Sequence, residues 1–330
     1  MNNPTVKSNQ ESRILVTGAA GFIGSLLVEK MLSMGRSVVG IDNLSNGTLT
    51  NLESARQSPN FVFHEMDCTD IDALVTAMRG IEEVWHLAAN TDIISAHKNP
   101  KRDFRDCVEA TFCVLEAMKL HRVPRIIFAS TGSVYGAMSY ANEVTESSGP
   151  LKPLSTYGAG KLASEAFISS YSNLYDIESY IFRFGNVIGG RISHGVIFDF
   201  VRKLSKNGDR LLVLGNGTQT KNYFLAKDCI DGMLHLSSRN LPERCEIINL
   251  GAQDLTNVLR IAEIVISEMK LQDTVIEIEG TEYAWPGDQP IVRLNCDKAA
   301  SLGWRCNTSS DEAVRLATRE IIDSYRSTLS

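Results

Sequence analysis

The 330-residue chain is predicted to fold as an α/β protein built on a doubly wound parallel sheet, with a smaller lobe toward its C-terminal end. Three observations predict it. Five short β-branched runs alternate with helical periods through the first half, the pattern of strands joined by crossover helices. A glycine-rich turn separates the first run from the first helix. Hydrophobic residues make up 43% of the chain and charged residues 22%, enough apolar side chain for a sizeable core.

The elements follow in order. RILVTG is the first strand and GFIGSLLVEKMLSMG the first helix; SVVGID is the second strand, with a helix expected near 48–57. FVFHEMD and a helix near 70–79 come next, then EEVWHLAA, a helix near 101–121, and the fifth strand RIIFAS. Residues 136–155 are polar and carry Gly149, Pro150 and Pro153, so they read as a surface excursion. A helix over 156–175 leads into SYIFRFGNVIGG, a sixth strand and its loop. From 187 onward the alternation loosens: a helix near 196–206, LLVL, the loop GNGTQTKN, a helix near 226–238, EIINLG, a helix near 255–269, TVIEIE and a C-terminal helix near 310–326. The expected division is a loose tail at 1–12, a nucleotide-binding part at 13–186 and a substrate-binding lobe at 187–330 that returns strands to the sheet.

Charge and composition exclude several classes. A net charge of −6 offers no basic footprint for nucleic acid or an anionic membrane, so a phosphate-bearing ligand must be held by local donors. No apolar run reaches the roughly 18 residues of a membrane span, and the polar start lacks the apolar core of a signal peptide; a cytoplasmic protein is expected. Seven scattered cysteines without a CxxC pair read as reduced thiols, and with six dispersed histidines they predict no metal site.

VTGAAGFIG places Gly18, Gly21 and Gly24 three apart between a strand and a helix. Glycines there allow a tight turn and close backbone approach, so that amides and the positive helix end meet a pyrophosphate. Asp42 ends the second strand about 20 residues on, where a carboxylate would bond an adenosine ribose and repel a 2′-phosphate; NAD is therefore expected over NADP. Asp67, at the end of the third strand, suits either an adenine amino group or a helix N-cap. At the other end, Tyr157 and Lys161 lie at i,i+4 spacing in STYGAGKLASE and emerge on one helix face. A free tyrosine has a pKa near 10, and a neighbouring ammonium would shift it down toward use as an acid–base catalyst.

Jointly, TGAAGFIG, DNLSNG, HLAAN, STGSVYG, YGAGK, RFGNVIGG, GNGTQTKNY and WPGD resemble, in order over about residues 13–305, the extended short-chain dehydrogenase/reductases of the nucleotide-sugar epimerase/dehydratase group. Within that group the chain is most similar to UDP-glucose 4-epimerase-like enzymes. The resemblance implies a Rossmann-type sheet, NAD as a resident cofactor, a homodimer through the helices near 101–121 and 156–175, and a nucleotide sugar, UDP-linked, as substrate. It implies that Phe22 and Ile23 line the pyrophosphate, and that Asp42, Asn43, Leu44, Ser45, Asn46 and Gly47 hold the adenosine ribose. Asp67 and Cys68 would flank the adenine, and Leu87, Ala88 and Ala89 would pass under the cofactor. Ser130, Phe184 and Gly185 would sit beside its nicotinamide end. Lys161 would bridge the nicotinamide ribose and Tyr157, the base. Thr131 would bond the sugar 4-hydroxyl with Ser133 beside it, and Asn186 would donate to the substrate diphosphate. His194, with Gly195 and Val196, would approach the sugar or diphosphate, and Lys221 and Asp288 the nucleotide end. The implied reaction takes the C4 proton to Tyr157 and the C4 hydride to NAD, turns the 4-keto sugar over, and returns the hydride to its other face.

The chain departs from that pattern in three places. Gly132 and Ser133 stand where dehydratases carry Asp-Glu and decarboxylases a Glu, which disfavours both reactions. Cys107 and Cys113 replace asparagines, and a thiol is a poor partner beside a carboxamide; either the hydrogen bonds near the nicotinamide or the active-site loop differ, or the change is one of packing alone. EYAWPGD lacks a customary arginine, and Lys221 stands where Arg is frequent, offering a point charge without a fork. Val292 occupies a position where a bulky side chain would exclude a 2-acetamido group, leaving room for N-acetylhexosamines. His86, in an apolar strand, reads as a satisfied structural histidine. Two rival readings remain: a nucleotide-sugar 4-ketoreductase or epimerase at another carbon on the same scaffold, and a non-catalytic NAD-binding sensor.

Overall fold

In the computed structural model, which describes residues 13–92, 98–285 and 287–329, seven parallel strands form the central sheet in the order β11-β6-β5-β4-β1-β2-β3. These strands are β1 (Arg13–Thr17), β2 (Ser37–Asp42), β3 (Phe61–Glu65), β4 (Ile81–His86), β5 (Arg125–Thr131), β6 (Glu178–Phe184) and β11 (Cys245–Leu250). The tail expected at 1–12 lies outside the described residues.

Side chains of a strand alternate between faces, so a sheet covered on both sides needs apolar residues at successive positions. Ile14 and Val16 accordingly pack with Leu27, Val28 and Met31 of α1 (Phe22–Ser33), while Leu15 packs with Val114, Leu115 and Met118 of α3 (Ala110–His121). In β5, Ile127 and Ala129 join the first layer, and Ile126 and Phe128 the second. The second layer also takes Leu74 from α2 (Ile71–Ala77) and Ile168 and Tyr171 from α4 (Thr156–Tyr175). The order puts β1 beside β4, so the chain reverses direction across the sheet between them, and a crevice opens past their carboxyl ends.

A separate core holds the C-terminal lobe, where α5 (Val196–Lys206), α7 (Val258–Glu268) and α8 (Ser310–Leu329) bury Phe200, Val201, Ile261, Val265, Val314 and Ile321. Its strands are short: β7 (Asn186–Ile188) pairs with β10 (Tyr223–Leu225), β8 (Arg210–Leu214) with β13 (Val275–Glu279), and β9 (Thr220–Lys221) lies between β12 (Thr256–Asn257) and β14 (Ile291–Val292). From this half, β11 joins the central sheet, following α6 (Ala226–Ser237), whereas TVIEIE stays in the small sheet with β8.

Several expected elements take another form. The helix expected near 48–57 is two 3₁₀ turns, Leu49–Leu52 and Ala55–Gln57. Its buried residues, Leu52 and Ala55, are three apart, which suits three residues per turn, and Asn51 Nδ2 ties the segment to the Ala20 carbonyl at 2.9 Å. The helix near 101–121 contains a π-helical run, Phe104–Glu109, before α3. α7 starts at Val258 because Thr256 and Asn257 pair with β9, and Asn257 caps the helix by accepting from Arg260 N at 2.8 Å. The excursion at 136–155 is tied down where Val144 bridges to Leu294. No helix among the described residues is long and apolar enough to cross a membrane.

Candidate active site

The crevice at the strand ends is a cleft of about 340 Å³ that runs from the glycine-rich turn to α4. Its first wall is built by backbone. Gly18 leaves β1 at a φ of +69°, a left-handed conformation, and an added Cβ on Gly24 would stand 2.0 Å from the Gly18 carbonyl oxygen. No side chain caps α1, so the amides of its first turn are left to the cleft, along with the positive end of the helix. Gly21, Phe22 and Ile23 line it there.

Asp42 is buried, and its carboxylate accepts from Ala20 N at 3.0 Å and Leu44 N at 2.8 Å. It therefore pins the glycine-rich turn to β2 while facing the cleft; burial pushes its carboxyl above the ordinary range, and these amides pull the other way. Asn43, Ser45, Asn46 and Gly47 line the same end, whereas Leu44 packs against the core. Asp67 and Cys68 also line it. Burial raises the Asp67 carboxyl, but bonds from Thr69, Asn43 and Arg105 more than offset that and hold it below its usual value. Its oxygens accept from Thr69 N at 2.9 Å, Thr69 Oγ1 at 2.8 Å, Asn43 Nδ2 at 2.9 Å and Arg105 at 3.0 Å. The N-cap expected of Asp67 falls to Asp70, which caps α2 by accepting from Ala73 N, while Asp67 stays on the cleft wall.

Leu87, Ala88 and Ala89 form the floor. Beyond them Ser130, Tyr157, Lys161 and Phe184 close the chemical end. Ser155 caps α4 by accepting from Gly158 N at 3.1 Å, which starts the helix one residue before Tyr157 and fixes its face. Lys161 is 2% exposed; its Nζ donates to the Ala129 carbonyl at 2.7 Å and lies 4.5 Å from the centre of the Phe128 ring. Burial lowers its pKa, opposed by Cys107 and Glu165.

The expected downward shift of Tyr157 is not what this geometry produces. Burial pushes its phenol up, with Cys107 and Asp103 adding to the rise, and a hydrogen bond with Thr131 opposing it. The Lys161 ammonium gives one of its three protons to the Ala129 carbonyl. Thr131 Oγ1 accepts from Ser133 N at 3.1 Å and donates to Ser133 Oγ at 3.2 Å, so Tyr157, Thr131 and Ser133 form one cluster of hydroxyls. Gly132, directly after Thr131, is packed shut: a Cβ there would meet Val292 at 3.1 Å and Leu294 at 3.2 Å. An acidic side chain there would have to push Val292 and Leu294 aside.

Other expected positions disperse. Val292 is 5% exposed in the small core with Val134 and Tyr135 and packs against Gly132, directly after Thr131. Gly185 abuts Asn222, with its N–H on the Leu250 carbonyl at 2.8 Å, and Asn186 N donates to the Asn222 carbonyl at 2.7 Å. His194 lines the cleft rim, and Gly195, at a φ of +99°, opens α5, whose first residue is Val196. Lys221 Nζ stands 3.7 Å from Asp288 and 5.9 Å from the Trp285 ring centre, beside a second cavity of about 640 Å³ lined by Leu154, Tyr283, Trp285 and Asp288. Pro286 of the WPGD motif lies outside the described residues.

Cys107 is buried with its side chain against Gly160, and its main-chain carbonyl accepts from Thr111 Oγ1 at 2.6 Å and Ser164 Oγ at 3.0 Å. Cys113 donates weakly to the Thr69 carbonyl at 3.7 Å. Sequence reasoning missed Arg191, which lines the cleft and is held by Ser25 Oγ at 3.0 Å and Glu29 at 2.8 Å. A lone cation in the loop after RFGNVIGG was its signal. It also missed Arg102, which reaches Asn46 at 3.4 Å across the adenosine end. Among the described residues no group of His, Cys, Asp and Glu could hold a metal ion.

Comparison with known proteins agrees with this geometry. Residues 14–251 match the NAD dependent epimerase/dehydratase family. A putative UDP-glucose 4-epimerase of Methanocaldococcus jannaschii is 32% identical over 310 residues, 92% of this chain and 96% of that protein. A crystal structure of a UDP-galactose 4-epimerase superposes with a TM-score of 0.83 at 33% identity, over 94% of this chain and 99% of the other. That of a UDP-glucuronic acid 4-epimerase from Bacillus cereus, in complex with UDP-glucuronic acid and NAD, does so with a TM-score of 0.85 at 28% identity, over 94% and 99%.

Proposed function

The chain belongs to the NAD dependent epimerase/dehydratase family, and from that premise we propose that it is an NAD-dependent enzyme that inverts C4 of a UDP-linked sugar through a transient 4-keto intermediate. One observation carries the reading: a helix face bearing Tyr157 and Lys161 closes the same cleft that begins at the glycine-rich turn and Asp42. The cleft fits NAD. The cradle at Gly18 and Gly24 has no space for a side chain, the open end of α1 suits a pyrophosphate, and the Asp42 carboxylate suits a ribose and opposes a 2′-phosphate.

Bound NAD supplies the acceptor that takes the C4 hydride and gives it back. Thr131 positions the 4-hydroxyl, and Tyr157 Oη takes its proton and returns it when the sugar has turned over. Lys161 orders the ribose side of the cleft and adds positive potential to it. With Gly132 sealed by Val292 and Leu294, no acid stands beside Thr131 to expel a C6 hydroxyl, which opposes dehydration. Lys221, Asp288 and Trp285 form the nucleotide end of the substrate site, with Asn186 and His194 between it and the sugar. The substrate is UDP-glucose and UDP-galactose or their N-acetyl forms.

Incubation of the protein with each of these sugars and substoichiometric NAD, with C4 configuration followed by NMR, tests this. Interconversion of at least one pair is expected. A sugar consumed only with stoichiometric NAD(P)H would instead identify a 4-ketoreductase, and NAD binding without any turnover a sensor. Gly24→Ala is expected to weaken NAD binding about 100-fold, roughly 2.7 kcal/mol. Fluorescence titration reads it, and unchanged affinity contradicts the placement of the pyrophosphate.

We also propose a homodimer. Phe112 and Phe167 meet edge-on with ring centres 5.8 Å apart on neighbouring α3 and α4, and both are exposed, as are Phe104, Leu174 and Tyr175 on the same pair of segments. A contiguous aromatic surface of this kind favours burial between two copies. Phe112→Glu should convert a dimer to a monomer in sedimentation analysis, and a wild-type monomer at micromolar concentration refutes the proposal. A cytoplasmic location agrees with seven cysteines, all free.

A further inference from the structure

A buried chain of hydrogen bonds joins the cleft floor to the catalytic helix through His86. The imidazole is 0% exposed, as are Thr17, Thr111 and Ser164 around it. Nδ1 lies 2.7 Å from Thr17 Oγ1, and Nε2 lies 3.0 Å from Thr111 Oγ1. Thr17 Oγ1 also accepts from Leu87 N and Ala88 N, each at 3.2 Å, the amides of the cleft floor. Thr111 Oγ1 donates to the Cys107 carbonyl at 2.6 Å in the π-helical run, and Ser164 Oγ, on α4 one turn from Lys161, reaches the same carbonyl at 3.0 Å and that of Gly160 at 2.9 Å.

Donor counting at Thr111 fixes the tautomer. A hydroxyl oxygen has two lone pairs and one proton. Thr111 spends its proton on a carbonyl that can only accept, so the proton in the contact with His86 comes from Nε2. Thr17 Oγ1 accepts from Ala88 N and shares the Leu87 N–H with the Thr17 carbonyl, so this end takes its direction from the other: a neutral ring protonated at Nε2 accepts from Thr17 at Nδ1. Burial, together with the nearby Lys161 charge, pushes the histidine down to about 3, which keeps it neutral at working pH.

We propose that His86 is a positioning residue that holds the cofactor floor and the Tyr157–Lys161 helix in register, its Nδ1 serving the floor and its Nε2–H serving the helix. The proposal rests on the epimerase reading for its catalytic arm and not for its binding arm. Two amide side chains separate the arms. In His86→Asn the carbonyl falls where Nδ1 was and can still accept from Thr17, but the bond to Thr111 is lost. In His86→Gln the amide nitrogen falls where Nε2 was and can still donate to Thr111, but Thr17 loses its acceptor.

The Asn variant is therefore expected to bind NAD within about twofold of wild type while kcat falls about tenfold, and the Gln variant to keep kcat at saturating NAD while its affinity for NAD falls about tenfold. Equal losses of both quantities in both variants would mean that His86 only fills space and overturn the proposal. The tautomer is read independently in the wild-type protein by ¹⁵N NMR of labelled histidine. A neutral ring protonated at Nε2 is expected from pH 6 to 8, and an Nδ1–H or doubly protonated ring overturns the assignment even if a variant fails to fold. Wild-type protein that never interconverts a sugar refutes the epimerase reading alone, because the NAD affinities and the tautomer still decide the role of His86.

Discussion

Tyr157→Phe should lower turnover by about 10²–10⁴-fold, the usual worth of a positioned acid–base group, and leave the NAD site intact. Tyr157 lines the chemical end of the cleft and shares a hydrogen bond with Thr131, while the cofactor cradle is made by Gly18, Gly24 and Asp42 on other elements. Removal of one hydroxyl preserves the ring and its packing, so the loss belongs to the transition state and kcat and kcat/KM fall together. The phenol is held above its ordinary pKa by burial. It is thus a protonated donor at rest, suited to returning a proton to the 4-keto oxygen, and its use as a base requires the positive potential that Lys161 and the bound cofactor bring to that end. Steady-state kinetics with a thermal-shift titration of NAD checks both halves: retained turnover, or lost cofactor binding, contradicts the assignment.

Arg183→Met should be the most damaging substitution away from the cleft. Arg183 and Glu165 are 3% and 4% exposed and meet through contacts of 2.7, 3.1 and 3.2 Å. The guanidinium also donates to Tyr135 Oη at 3.0 Å and lies 4.8 Å from the centre of that ring, and Tyr135 passes the contact on to Asn249 at 2.7 Å. Glu165 in turn accepts from Ser130, which lines the cleft, so the pair ties α4 to the strand ends beneath the site. Removing the cation leaves a buried carboxylate alone, a loss of about 3–5 kcal/mol. Chemical denaturation measures it. The double variant Arg183→Met with Glu165→Gln should recover a large part, because the uncompensated charge is gone. A single variant within about 1 kcal/mol of wild type would remove the pair from the account.

The parts of this protein that are legible in sequence are those whose chemistry is local. VTGAAGFIG constrains its own backbone, Tyr157 and Lys161 share a helix face by spacing, and the alternating runs of β1 to β6 carry the sheet. What is not legible depends on partners far along the chain. Leu52 and Ala55 do not disclose in sequence that they face α1 through 3₁₀ turns. Asp67 does not disclose in sequence that Arg105, 38 positions away, and Asn43 bond its carboxylate. Val292 packs on Gly132 from 160 positions away, and Arg191 enters the cleft because Ser25 and Glu29 hold it there. The lowered pKa expected for Tyr157 is missed for a related reason: helical spacing shows that Lys161 is near, but not how far the fold buries the phenol.

The central claim is that hydride leaves C4 and returns to the same carbon within one enclosed site. A UDP-sugar deuterated at C4, given to enzyme preloaded with NAD in the presence of free unlabelled NADH, tests it most directly. The account predicts that both C4 epimers appear with the deuterium retained at C4. Epimers that carry hydrogen at C4, or a 4-reduced product formed in proportion to NADH consumed, would contradict it.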